Sequence, residues 1–69
     1  MQEDVDVGPE GIRLGQLLKL VGAVDTGGEA KALLAAGSVR VNGVVETRRG
    51  AQVGPDDVVQ VGARDLRLR

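Results

Sequence analysis

The chain of 69 residues contains no aromatic residue and no cysteine, and this limits how its core can be built. The core has to be packed from leucine, valine, isoleucine and alanine, and no disulfide can stabilise it. A chain of this length forms one small domain, which buries only about 60% of the surface that its unfolded chain exposes. We therefore expect a single aliphatic core of modest stability.

Charge is distributed unevenly along the chain. Residues 1–10 carry four acidic side chains and no basic one, whereas residues 11–69 carry nine basic and six acidic side chains. We expect residues 1–10 to be a disordered acidic leader in front of a mildly basic domain. This start does not resemble a secretory signal, and no apolar run approaches the roughly 20 residues of a membrane span, so we expect a cytoplasmic protein.

Apolar residues at helical spacing predict a first helix over residues 12–24. Leu14, Leu17, Leu18 and Val21 follow the i, i+3, i+4, i+7 spacing of one helix face. A glycine at position 22 suits the end of this helix. The glycine at position 15 leaves its start less well defined, because glycine is a weak helix former.

A second, short helix is predicted after residue 25. Thr26 and Glu29 stand three apart before an apolar run, which is the pattern of a capping box. Gly37 is a good residue just beyond the helix end. The predicted buried stripe of this helix consists of Ala30, Leu33 and Leu34.

Beyond position 37 the pattern changes to that of β structure. Asn42-Gly43, between two valine-containing runs, is the strongest short signal for a hairpin turn. The predicted strands cover residues 39–41, 44–45 and 58–61, with another turn at residues 54–57, directly after Val53.

These elements predict an α+β fold in which two packed helices lie on a small antiparallel sheet. The folded domain is expected to span residues 11–63. In residues 64–69, Leu66 and Leu68 alternate with Arg67 and Arg69. This segment is expected to form a short edge strand or a flexible basic tail.

The segment 26–31, Thr-Gly-Gly-Glu-Ala-Lys, has features of an anion site. A helix N-terminus offers unpaired N–H groups, Gly27 and Gly28 leave them accessible, and Lys31 lies one turn further along the same face. Taken alone, the segment is more typical of an ordinary capped helix. It is not a nucleotide-binding P-loop, since it lacks the Gly-Lys-Ser/Thr ending and does not follow a strand.

A second set of polar residues surrounds the predicted hairpin. Arg40 is expected on the solvent side of its strand, and Arg48 and Arg49 follow the hairpin. Asn42 by itself favours a structural role in the turn, and a pair of arginines is usually a solvated surface. The basic residues of the first helix, Arg13 and Lys19, lie off its apolar stripe and either extend a basic patch or only solubilise the helix. The convergence of these groups predicts one phosphate-binding surface.

Catalysis is not expected. The chain has no histidine and no cysteine, and its single serine, Ser38, has no evident base partner. The adjacent Asp56 and Asp57 follow a proline in a predicted turn, as turn residues commonly do. We expect neither a metal site nor a cofactor.

Four segments together resemble a known family. They are residues 13–20 (Arg-Leu-Gly-Gln-Leu-Leu-Lys-Leu), the segment 26–31, residues 39–43 (Val-Arg-Val-Asn-Gly) and residues 46–50 (Glu-Thr-Arg-Arg-Gly). In this order they resemble the small stand-alone RNA-binding domains related to ribosomal small-subunit protein four, the S4-like domains, and in particular the YbcJ-type subgroup. The resemblance covers residues 12–61.

The resemblance implies an αL-type RNA-binding fold, with two helices on a small bent antiparallel sheet. It also implies a basic surface that holds structured RNA, ribosomal or transfer RNA. The RNA-binding residues that it implies in this chain are Lys19, Thr26, Gly27, Gly28, Lys31, Arg40, Asn42, Arg48 and Arg49.

We therefore expect a monomeric, non-enzymatic module that binds structured RNA through phosphate and shape contacts, with neither a membrane nor a small molecule as partner. Base stacking should contribute little, because the chain has no aromatic side chain. Two alternatives remain open from the sequence. One is a module that docks an acidic protein, and the other is an accessory domain of an RNA-modifying enzyme.

Overall fold

The computed structural model describes residues 2–69, which form two helices and seven short strands. No helix among these residues is long and apolar enough to cross a membrane. The helices are α1 (Leu14–Leu20) and α2 (Gly27–Ala35), and the strands are β1 (Gln2–Val5), β2 (Ile12–Arg13), β3 (Val39–Val41), β4 (Val44–Val45), β5 (Gln52–Val53), β6 (Val58–Val61) and β7 (Arg64–Leu68).

The strands of the described residues form two sheets. The larger has the order β1-β7-β6-β3-β4, and the smaller pairs β2 with β5. All pairs are antiparallel except β1 with β7, which is parallel. The α+β fold with two packed helices on a small sheet is confirmed, but the sheet is mixed rather than wholly antiparallel.

The core lies between the helix pair and one face of the larger sheet, and it is entirely aliphatic. Within residues 2–69, no polar or charged side chain is buried. The largest fully buried side chains are Leu14, Leu17, Leu18, Leu34, Val39, Val59, Leu66 and Leu68. The alternation of buried and outward-facing residues along β6 and β7 follows the period of two expected for strands with one covered face.

Helix α1 is shorter than the predicted span of 12–24. It begins at Leu14 because Ile12 and Arg13 are extended and pair with Val53 and Gln52. It ends at Leu20, and Gly22 follows with a φ of 74°. The predicted glycine stop is therefore confirmed.

The N-terminus of α2 is capped as predicted. The Glu29 N–H donates to the Thr26 hydroxyl oxygen at 3.1 Å, and that hydroxyl donates to the Glu29 carboxylate at 3.4 Å. At the other end, Gly37 follows the helix with a φ of 76°, which only glycine adopts readily. Local sequence thus sets both ends of α2, through a side-chain cap at the first and a glycine at the second.

The Asn42-Gly43 turn joins β3 to β4 with φ angles of 52° and 85°, as a two-residue hairpin turn of the primed type requires. The Asn42 side chain also crosses to the β5–β6 turn. Its amide donates to the Asp57 carboxylate at 3.0 Å, and its carbonyl accepts the Val58 N–H at 2.9 Å. The hairpin is thereby fastened to β6.

The expectation of a disordered leader is wrong for the described part of residues 1–10. Residues 2–5 form β1, and Val5 packs against the core. Two of the acidic side chains find partners at the other end of the chain. Glu3 receives two hydrogen bonds of 2.7 Å from Arg64, which also donates to the Val21 carbonyl, and Asp4 pairs with Arg69 at 3.5 Å. Charge composition alone indicated disorder because it does not reveal these distant arginines.

The last segment is a strand, but not one at an edge. β7 lies between β1 and β6, and Leu66 and Leu68 are both buried. The prediction of an edge strand or flexible tail is corrected by the pairing of β1, which covers the outer side of β7.

Candidate functional site

A shallow groove of about 360 Å³ lies where α1, the first residue of α2 and the loop of residues 47–50 meet. We call it the cationic groove. It contains three basic side chains and, among the described residues that line it, no acidic one. The lining residues are Arg13, Gly15, Gln16, Lys19, Gly27, Arg49 and Gly50.

The 47–50 loop is held on the N-terminus of α1 by backbone hydrogen bonds. The Gly15 N–H donates to the Arg49 carbonyl at 2.9 Å, and the Leu14 N–H donates to the Ala51 carbonyl at 2.8 Å. The first N–H groups of a helix have no partner within the helix, so these two would otherwise be unsatisfied. The loop and Ala51 therefore supply the carbonyl acceptors for N–H groups at the start of α1.

Two glycines shape the position of the Arg49 side chain. A Cβ atom added at Gly15 would lie 2.5 Å from the Arg49 Cγ, so the arginine stem occupies the space that a larger residue would fill. A Cβ added at Gly27 would lie 3.7 Å from the Arg49 Nη1. The stem thus crosses α1, and the guanidinium lies beside the first residue of α2.

Helix α1 contributes the other two cations of the groove. Arg13 precedes the helix and Lys19 lies near its end, and both are exposed. With Gln16 they are spaced by three residues, which keeps them on neighbouring positions of one helix surface. No ion pair within residues 2–69 involves Arg13, Lys19 or Arg49, so their charges are uncompensated.

The predicted residues of α2 occupy different surroundings. Gly27 lines the cationic groove, and Lys31 is exposed one turn further along the helix. Thr26 uses its side chain in the helix cap, and Gly28 is exposed but does not line the groove. Of these four residues, Gly27 alone lines the groove, and Lys31, four residues further on, lies on the same side of α2.

Arg48 lies next to Arg49 in sequence, yet it is paired differently. Its Nε donates to Glu46 Oε2 and its Nη2 donates to Glu46 Oε1, both at 3.1 Å. Hydrogen bonds from the Arg48 guanidinium and from its backbone N–H lower the pKa of Glu46 to about 2. The charge of Arg48 is thus offset, whereas that of Arg49 is not.

Arg40 and Asn42 are not brought to the cationic groove. Arg40 is exposed on the sheet face opposite the buried Val39, in a depression with Ser38, Gln60 and Gly62. Asn42 is committed to the hairpin contacts described above. The role of the predicted set in binding RNA stays a prediction, and the geometry divides it into residues in or beside the groove and residues away from it.

The predicted RNA-binding set did not include Arg13, Gly15, Gln16 or Gly50, although the sequence left open that Arg13 extends the basic patch. Two signals could have found the first three. One is the three-residue spacing of polar side chains along α1, and the other is a glycine in the first turn of an otherwise regular amphipathic helix. That glycine weakens the helix locally and is explained by the Arg49 stem that crosses it.

Comparison with known proteins connects this geometry to a family. The family described as the S4 domain matches residues 5–69, which is nearly the whole chain. The chain belongs to the S4 domain family. The match includes both helices, the 47–50 loop and the C-terminal strand, so every element of the cationic groove lies inside this S4 domain.

Two relatives resemble this S4 domain over most of their length. The probable ribosome maturation protein RlbA of Bacillus subtilis strain 168 is 38% identical over 61 residues, which cover 88% of this chain and 86% of that protein. The solution structure of YbcJ from E. coli superposes with a TM-score of 0.70 at 30% identity and covers 94% of this chain and 84% of that one. YbcJ is described as having an αL motif involved in RNA binding. The resemblance inferred from the sequence is therefore confirmed.

Proposed function

We propose that this S4 domain is a non-enzymatic module that binds structured RNA, with the cationic groove as the place where phosphates are held. The observation that carries the proposal is the grouping of Arg13, Lys19 and Arg49 around one groove without a compensating acid among its lining residues. The description of YbcJ as RNA-binding supports the same ligand class.

The groove suits a phosphate backbone better than a base. Three flexible cations can reach phosphate oxygens, and Gly27 and Gly50 add no side chain to the groove that they line. Gly27, which lines the groove, also carries the first N–H group of α2, which has no acceptor within the helix. Since the chain has no aromatic side chain, recognition rests on the shape and phosphate spacing of a folded RNA rather than on stacked bases.

Ribosomal RNA is the RNA class that we propose first. The relative from Bacillus subtilis is named as a probable ribosome maturation protein, and it aligns with nearly all of this chain. Transfer RNA, the other class implied by the resemblance, serves as the comparison in binding experiments. An acidic protein partner, in contrast, is not favoured by either relative.

The proposal is tested by the salt dependence of binding to a labelled ribosomal RNA hairpin. If Arg13, Lys19, Arg49 and Lys31 each neutralise one phosphate, the slope of log K against log salt should be about −3. The double variant Lys19→Ala/Arg49→Ala should flatten this slope by roughly 1.5 to 2 units.

A control variant removes the same charge elsewhere. Arg40 and Arg67 are exposed on the sheet face that points away from the core. The variant Arg40→Ala/Arg67→Ala should change both slope and affinity less than the groove variant. Equal losses in the two variants would mean that RNA binds through net charge alone, and loss only in the sheet variant would place the RNA on the other face. RNA that co-purifies with the protein should also give excess absorbance at 260 nm. Even a small amount should be detectable, because the chain has no Trp or Tyr and contributes almost no ultraviolet absorbance of its own.

A further inference from the structure

Glu46 is a half-buried carboxylate at the start of the 47–50 loop, and the groove described above does not include it. Its Oε2 accepts the N–H groups of Thr47 and Arg48, each at 3.0 Å, and the Arg48 Nε at 3.1 Å. Its Oε1 accepts the Arg48 Nη2 at 3.1 Å. The Glu46 N–H donates to the Val39 carbonyl at 3.0 Å, so the residue itself is fixed to β3.

These bonds fix the first half of the 47–50 loop, and the Ala51 N–H closes its turn by donating to the Arg48 carbonyl at 3.2 Å. All four residues of the 47–50 loop are exposed, so apolar burial cannot order them. The second half is held on α1 through the carbonyl groups of Arg49 and Ala51. Glu46 therefore supplies the anchor at the hairpin end, and the α1 N–H groups supply the anchor at the helix end, with Arg49 between them.

We propose that Glu46 is a positioning residue that holds the 47–50 loop in the conformation that places Arg49 in the cationic groove. Arg48 serves as the counter-charge of this anchor rather than as an RNA ligand. The inference rests on the proposed RNA-binding function, and it assigns an acidic residue a favourable part in binding a polyanion.

The sign of this effect separates it from simple electrostatics. An acid near a phosphate site repels RNA, so a charge-only account predicts tighter binding when Glu46 is removed. The positioning account predicts weaker binding, since the loop loses its acceptor and Arg49 leaves the groove. The two accounts make opposite predictions for the same variant.

The matched pair Glu46→Gln and Glu46→Ala isolates the positioning effect, because the two variants have the same net charge. Glutamine keeps a carbonyl oxygen that can accept the N–H groups of Thr47 and Arg48, whereas alanine keeps none. Affinity for the RNA hairpin should be about three to ten times lower for Glu46→Ala than for Glu46→Gln, as expected for the loss of a loop-ordering hydrogen bond. Equal affinities, or tighter binding by Glu46→Ala, would overturn the proposal.

A second comparison keeps the net charge of the native chain. Glu46→Ala/Arg48→Ala removes one acid and one base, while Arg48→Ala alone leaves the two backbone hydrogen bonds of Glu46 in place. The positioning account predicts weaker binding by the double variant than by Arg48→Ala, although the double variant has one fewer negative charge. The opposite order would support the charge-only account and overturn the proposal.

A readout without RNA keeps this test separate from that of the proposed function. Nuclear Overhauser contacts between the Arg49 side chain and the α protons of Gly15 and Gly27 should persist in Glu46→Gln and disappear in Glu46→Ala, with the core signals of both variants unchanged. If the native chain fails to bind RNA, the proposed function fails, and these contacts still decide the position of Arg49. Their persistence in Glu46→Ala would refute the role of Glu46.

Discussion

The substitution Gly15→Ala tests whether the packing of the Arg49 side chain against α1 is needed for RNA binding. Gly15 is buried in the first turn of α1, and an added Cβ would lie 2.5 Å from the Arg49 Cγ and 3.3 Å from its carbonyl oxygen. The carbonyl is held by the Gly15 N–H, so the side chain is the part that can move. We expect the Arg49 stem to leave α1 and its guanidinium to leave the cationic groove.

Two contributions to stability oppose each other in this variant. Alanine in place of glycine stabilises a helix by roughly 0.5–1 kcal/mol. Crowding a packed site costs about 1–3 kcal/mol, and the lower part of that range applies because an exposed arginine can swing aside. The free energy of unfolding should therefore fall by no more than about 2 kcal/mol. The affinity for RNA should fall by a larger free energy than the stability does, because Arg49 loses its contact with phosphate. A charge-assisted hydrogen bond contributes about 1.5–3 kcal/mol, equivalent to roughly 10-fold to 100-fold in affinity.

The assay is a salt series of RNA titrations, with urea unfolding followed by circular dichroism as the measure of stability. Gly28→Ala is the matched control, because it adds the same methyl group at an exposed position where the nearest atom is the Thr26 Oγ1 at 3.9 Å. Gly15→Ala should bind the RNA hairpin weakly, and its slope of log K against log salt should be flatter by about one unit. Gly28→Ala should bind the hairpin like the native chain. Native affinity and slope in Gly15→Ala would refute the reasoning.

Three further predictions concern single residues. Arg49→Ala should weaken RNA binding several-fold more than Arg48→Ala in the same titration, because the Arg48 charge is already offset by Glu46; equal losses would contradict this. The contribution of the Glu46 contacts to stability should be present in full above pH 4.5 and lost only as the pH falls towards 2, since the pKa of Glu46 is lowered from 4.5 to about 2. The amide N–H signals of Thr47 and Arg48, followed by NMR, should therefore shift near pH 2, and a shift centred near pH 4.5 would contradict it. Asn42→Ala should lower the free energy of unfolding by about 1–3 kcal/mol, since it removes two hydrogen bonds and a residue suited to positive φ, but it should leave the RNA affinity of the folded protein unchanged.

The features that the sequence predicts correctly depend on residues close together in the chain. The capping box of Thr26 and Glu29, the Asn42-Gly43 turn and the apolar stripe of α1 each involve neighbours within about one or two helical turns or one hairpin. Their physical causes are local, so a single sequence contains them. The family resemblance adds the packing of the two helices on the sheet.

The features that the sequence does not predict depend on pairs that are far apart in the chain. β1 forms because Glu3 meets Arg64 and because β7 offers a free edge, and neither partner can be read from residues 1–10. Likewise, the reason for Gly15 is Arg49, 34 positions away. From the sequence, Arg48 and Arg49 look equally available to bind a phosphate. In the structure, Arg48 is paired with the Glu46 carboxylate, and Arg49 is not.

The central claim is that RNA lies in the cationic groove, and chemical-shift mapping tests it most directly. A ribosomal RNA hairpin is titrated into the isotope-labelled chain, and the backbone amide shifts are followed residue by residue. We predict that the largest changes fall on Gly15, Lys19, Gly27 and Arg49, with little change at Arg40 on the far face of the sheet. Changes centred on Arg40 and the outer sheet face, with the groove amides unmoved, would contradict the account.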